Sequence, residues 1–174
     1  IARRVGGEWI LALSLFNLGH ATAHAGDTVE GERLLREALG HFTAIGDRRF
    51  AARASAQLAI ASLMRHDSEA ARRLASESLS AFAGIGEGWG IAEGLEIASA
   101  AEGDPRSAAR LAGAAERLRE ETATEPMPFD WAVIGPRREE LRLRAGDGAW
   151  EQAWREGRRF TAGEAVAWAL APSR

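Results

Sequence analysis

A block of about forty residues recurs along this chain. Its first copy carries Leu18, Gly26-Asp27, Leu34, Leu39, Phe42, Ile45, Gly46 and Asp47; its second carries Leu58, His66-Asp67, Leu74, Leu79, Phe82, Ile85, Gly86 and Glu87. Partners in the two copies stand 40 positions apart, and Leu95, Gly103-Asp104 and Leu111 continue the series at a spacing of 37. Self-similarity at this period is the mark of stacked supersecondary units, each too small to bury its apolar face without a neighbour. The chain is therefore constrained to an array in which every unit packs on the next.

The units are helical. Between Glu8 and Ala25, Leu11, Leu15, Leu18 and Thr22 recur at steps of three and four, which predicts one helix face. Gly26-Asp27 ends that helix, glycine tolerating a left-handed stop and aspartate capping the next helix, with Glu30 three residues on. The second helix, about residues 28–44, aligns Leu35, Ala38, Phe42 and Ile45. So short a turn predicts an antiparallel pair. Gly46-Asp47 and His66-Asp67 repeat the signal, and Asp104-Pro105 combines an N-cap with proline at the first helical position. Residues 123–130, with Pro126 and Pro128, are expected to form an extended linker. Three shorter helices are expected beyond it, at about residues 131–144, 149–158 and 162–171, the last opening with the capping box Thr161-x-x-Glu164. Trp131, Trp150, Trp154 and Trp168 fall in this part, where Trp150 and Trp154 share a helix face as the expected core of a cap.

Composition removes several kinds of chemistry. The chain has no cysteine, so disulfides and thiolate ligands are excluded. All 22 basic residues are arginine, which excludes Schiff-base and P-loop lysines. A net charge of −3 gives no basic footprint, so direct nucleic-acid contact is not expected. The longest apolar run, about residues 9–16, falls short of the roughly 20 residues of a membrane span. A soluble, cytoplasmic chain without membrane contact is expected, and its start at Ile1 suggests a piece of a longer protein.

Leu15, Leu18, Gly19, Gly26, Leu35 and Ala38 fall on the signature positions of the tetratricopeptide repeat, which the helix pairs resemble. Thr22 stands where that repeat has an aromatic and Gly31 where it has alanine, and the period is nearer 40 than 34. Gly103-Asp104-Pro105, the run from Ala108 through Arg119, Ala153-Trp154-Arg155-Glu156-Gly157-Arg158 and Glu164-Ala165-Val166 are similar to one kind of tail. It is the C-terminal helical region of actinobacterial multidomain ATPase regulators of the LuxR and MalT-like type. The resemblance implies an all-α, tetratricopeptide-like superhelix: three helix pairs in residues 1–122, the linker 123–130, and a three-helix cap in 131–174. It also implies a sensor or coupling arm of a transcriptional regulator, with an ATPase module upstream and a helix-turn-helix downstream.

Isolated polar signals have simpler readings. His20 and His24, four apart on one helix, supply two donors for a metal, but the sequence indicates no third, and they are read as groove histidines. The run Gly84, Gly86, Gly88, Gly90 follows a helix rather than a strand, which favours an inter-repeat turn over a phosphate loop. His66-Asp67 is read as a turn, and Glu120-Glu121, Glu139-Glu140 and the arginines 137, 138, 142 and 144 as solvated helix faces. No catalytic residue, metal or cofactor is expected.

Function is expected in the groove lined by the first helix of each pair. Carrying over the repeat's groove positions gives Asn17, His20 and His24 in the first copy, Arg53, Gln57, Ile60 and Met64 in the second, and Glu93 and Ile97 in the third. The expected occupant is a protein or peptide, or a small-molecule inducer, with other domains of the parent chain as further partners. A free-standing tetratricopeptide adaptor or peptide receptor is the alternative, and an enzyme is less favoured.

Overall fold

The computed structural model describes the backbone of residues 2–171, with side chains from residue 6 onward. Among the described residues it is all-helical and without strands: α1 (Ala2–His24), α2 (Thr28–Ala44), α3 (Arg48–Met64), α4 (Ser68–Ile85), α5 (Gly88–Ala101), α6 (Pro105–Thr122), α7 (Pro128–Ala145), α8 (Asp147–Gly157) and α9 (Ala162–Leu170). No helix among them is long and apolar enough to cross a membrane.

The repeated turns work as their residue types dictate. Asp27, Asp47, Asp67 and Asp104 each accept a hydrogen bond from a backbone N–H three residues on, satisfying a donor the helix itself leaves open. Gly26, Gly46 and Gly86 adopt positive φ at the helix ends, and His66 takes the same left-handed conformation at +61° where the other copies have glycine. Glu87 breaks the series: its side chain makes no cap, and its carboxylate instead meets the Trp89 indole N–H and Arg49.

Consecutive helices α1 to α6 pack in order as an all-α array. The close points carry small residues. A Cβ on Gly31 would lie 2.6 Å from the backbone of Ala23, and one on Gly19 would lie 2.9 Å from the Gly31 carbonyl, so both positions need glycine at this spacing. Forty residues later Ala59 and Ala71 occupy the matching places, fully buried. Phe42 and Phe82 fill the same position of successive units, both at 0% exposure. The third unit has Arg119 there, and its guanidinium forks onto Glu96 at 3.0 and 2.7 Å.

The buried face of α1 is not the leucine face. Ala12, Phe16, Gly19 and Ala23 point inward, whereas Leu11 and Leu18 are 46% and 56% exposed. The leucine face of α3 and α5 is covered by the preceding unit, leaving Leu58 and Leu95 at 0%. In α1 the face has no such neighbour among the described residues.

The last three helices pack on different parts of the array. α8 packs on α6, their backbones so close that a Cβ on Gly157 would lie 1.9 Å from the Arg110 carbonyl oxygen. Trp150 is buried there and Trp154 packs beside it, while Trp131 and Trp168 are each 38% exposed. α9 returns against α4, α5 and α6 through the fully buried Ala165. α7 begins at Pro128, inside the stretch expected as linker, because proline suits the first helical position. It then runs against α3, α5 and α6 and meets α8 at its far end.

Because Leu58 is enclosed and Leu18 is not, the two equivalent leucines should respond differently to truncation. Leu58→Ala is expected to cost about 2–5 kcal/mol and Leu18→Ala under roughly 1 kcal/mol, measured by urea unfolding of each variant.

Candidate functional site

The row of first helices carries polar groups inward, and α7 brings a carboxylate to meet them. Pro128 starts α7, so Asp130 sits in its first turn, where a negative charge suits the unpaired N–H groups. Its side chain is 5% exposed. One oxygen, Oδ1, lies 3.3 Å from Nε2 of His20 and 3.3 Å from Nε2 of His24. The other, Oδ2, accepts a 3.0 Å hydrogen bond from the buried Gln57 amide. Helices α1, α3 and α7 therefore converge on one carboxylate. The Phe129 ring closes over the two imidazoles, with centroids 6.5 Å from His20 and 5.9 Å from His24.

The same cluster sets the proton affinities. Burial pushes the Asp130 carboxyl up, but hydrogen bonds from His20 and Gln57 and the histidine charges outweigh it and hold the group below its ordinary range. Burial and the neighbouring His20 lower the His24 pKa, against the pull of Asp130. Glu93 lies deeper, 6% exposed, with Oε2 buried and without a hydrogen-bond partner. Desolvation first, then the charges of Asp130 and Glu96, push its carboxyl up to about 7, while Arg53 and Arg119 work in the opposite direction.

Of the residues expected in the groove, the structure gathers His20, His24 and Gln57 around Asp130, with Glu93 within the reach of its charge. The rest have other places. Asn17 is exposed. The Arg53 guanidinium stacks over the rings of Phe16, Phe50 and Trp89 at 5.4–5.8 Å. Ile60 and Ile97, at 1% and 0% exposure, belong to the hydrophobic core, and Met64 packs against it. The apolar positions are spent on packing between the helices and the polar ones gather around the carboxylate.

Asp130 escaped the sequence reading. It was the last residue of the expected linker, and its partners lie 73 to 110 positions away, a distance at which no spacing rule operates. The one local signal was proline followed two residues later by aspartate, a helix start with an acidic first turn.

Three further residues help to seat α7. Ile134 is 2% exposed in the core, and the Arg137 guanidinium donates to the Leu63 carbonyl at 2.6 Å and reaches His66 Nδ1 at 3.1 Å. Arg138 pairs with Glu116 at 2.6 Å and stacks on Trp131. Beside the start of α7 a cleft of about 640 Å³ lies between the Glu96–Arg119 pair, Glu116, Trp131 and Arg138.

Comparison with protein-family models, with curated proteins and with solved structures finds no match to the chain.

Glu93 makes a pH prediction with a definite sign. A carboxyl raised from 4.5 to about 7 on folding costs the folded state nothing below pH 4.5 and progressively more as the pH rises toward 7. Glu93→Gln removes that cost. The variant should gain on the parent chain between pH 5 and 8, by on the order of 3 kcal/mol at the upper end, as read from unfolding midpoints across the range.

Proposed function

We propose that this chain is a non-catalytic interaction and coupling arm whose groove is covered by its own helix α7, and that a partner acts by taking the place of α7. The observation that carries the reading is the convergence of His20, His24 and Gln57, three groove positions on two different helices, upon the single buried carboxylate of Asp130. A groove that accepts from its own chain a helix with a carboxylate in its first turn has the chemistry to accept another, since helix-in-groove recognition uses the same donors and the same apolar floor.

The finer fold reading is that α1 to α6 are three tetratricopeptide-like pairs. Its support is the small-residue contact at Gly19 and Gly31, returning as Ala59 and Ala71 one period later, together with the Gly-Asp turns. The chain is further proposed to belong to a larger regulator of the LuxR and MalT-like type, on the strength of the sequence similarity that runs from Gly103 through Val166. In such a parent, displacement of α7 by an inducer, a peptide or another domain would pass a binding event to the segments that follow. The coding sequence on either side tests the parentage: a P-loop upstream and a helix-turn-helix downstream are expected, and a stop codon directly after the chain would refute it.

Groove competition makes a separate prediction. A ligand's apparent affinity falls with the fraction of open groove, so loosening α7 should improve binding in trans. Asp130→Ala is expected to speed amide exchange across residues 128–145 while α3 and α5 stay protected. It should also bind a labelled peptide of sequence 128–145 at least about tenfold more tightly than the parent chain. Equal or absent binding by both proteins in fluorescence anisotropy would refute the reading.

A further inference from the structure

We propose that His20, His24 and Asp130 form a binding site for a zinc-class divalent metal ion that clasps α7 to α1.

The donor set has the right composition. Two imidazoles four residues apart on one helix and one carboxylate from another are borderline nitrogen and oxygen ligands, suited to zinc and its transition-metal neighbours rather than to magnesium or calcium. The Nε2 atoms of the two rings and a carboxylate oxygen all lie within 4.8 Å of one another.

The distances also fit coordination. Ligand atoms held about 2.0–2.1 Å from a tetrahedral centre stand roughly 3.3 Å apart along each edge. Both Nε2···Oδ1 separations are 3.3 Å. Charge-assisted hydrogen bonds between imidazolium and carboxylate close to about 2.7–2.9 Å, shorter than either separation here, and the two rings meet edge to face at a centroid separation of 4.5 Å with both Nε2 atoms beside the one oxygen.

The surroundings also suit a cation. Gln57 donates to Oδ2 and so turns Oδ1 toward the histidines, the role a neighbouring donor plays for a ligating carboxylate. Phe129 gives an apolar wall against both rings. Glu93 adds a second buried carboxylate, one oxygen of which has no hydrogen-bond partner, close enough for its charge to feel that of Asp130. Three protein ligands leave the fourth position to water on the side where His20 is 24% exposed.

The clasp deepens the groove-competition reading and depends on it: with the ion bound, α7 is held and the groove is closed to other segments. Ion binding itself does not depend on that reading. Calorimetry and cobalt absorption on the whole chain test the site. Zn²⁺ should bind at one equivalent, Co²⁺ should give the strong visible bands of a four-coordinate centre, and Mg²⁺ should neither bind nor compete. Zn²⁺ at 100-fold over its dissociation constant should raise Tm by about 5–10 °C and slow amide exchange in α7. His24→Gln and Asp130→Asn, close in shape to the originals, should each weaken binding at least tenfold, whereas His41→Gln, away from the cluster, should not. Zinc affinity unchanged by His24→Gln and Asp130→Asn, or no saturable binding by the parent chain, overturns the site. One-equivalent binding lost in both variants but with no change in α7 exchange leaves the metal site standing and overturns the clasp. Peptide uptake by Asp130→Ala in the presence of a chelator reports on the groove alone, so the two readings fail separately.

Discussion

Burial of the Asp130 carboxylate is the interaction on which the arrangement of the C-terminal part depends. A charge removed from water must be paired and hydrogen-bonded, and here the partners come from two helices at once: His20 and His24 from α1, Gln57 from α3. α7 can satisfy that carboxylate only by lying on the side of the array where those groups point. Removing one partner of a buried pair typically costs about 3–5 kcal/mol, enough to select this seat for α7 over others with similar apolar contact. Ile134 in the core and Arg137 on the Leu63 carbonyl then fix its direction.

The array beneath it rests on a different constraint, the close approach of paired helices. Glycine at positions 19 and 31 and alanine at 59 and 71 let α1 approach α2 and α3 approach α4, and the inward side chains then fill the space at crystal-like density. The third unit departs from this scheme. Glu96 stands where the other copies have Gly19 and Ala59, Arg119 stands where they have phenylalanine, and the two meet as a buried fork. Its place beside the 640 Å³ cleft and near Glu93 makes this end of the row more polar than the other. Burial of Glu93 among these groups raises its pKa, desolvation being the largest cause.

A large part of the fold was legible in the sequence, and for identifiable reasons. The Gly-Asp turns act within a few residues, so Asp27, Asp47, Asp67 and Asp104 cap helices as their spacing predicts, and the capping box at Thr161 and Glu164 forms in full. Helix boundaries and the order of packing follow from such local rules. Burial follows less well. Leu18, Leu58 and Leu95 are one position of one repeat, yet only the latter two are enclosed, because enclosure depends on whether another unit stands in front. The positions on the first helices behaved likewise: Ile60 and Ile97 went to the core, and the polar His20, His24 and Gln57 met Asp130.

The sequence by itself therefore determined the helices, their stops and caps, the repeat period and the absence of cysteine and lysine chemistry, since each rests on interactions between residues a few positions apart or on composition alone. Only the tertiary structure decided that α7 returns to pack on α3, α5 and α6, and that Asp130 meets the pair His20 and His24. That meeting joins residues more than a hundred positions apart. It arises from the free energy of pairing a buried charge, which has no periodicity and leaves no pattern along the chain.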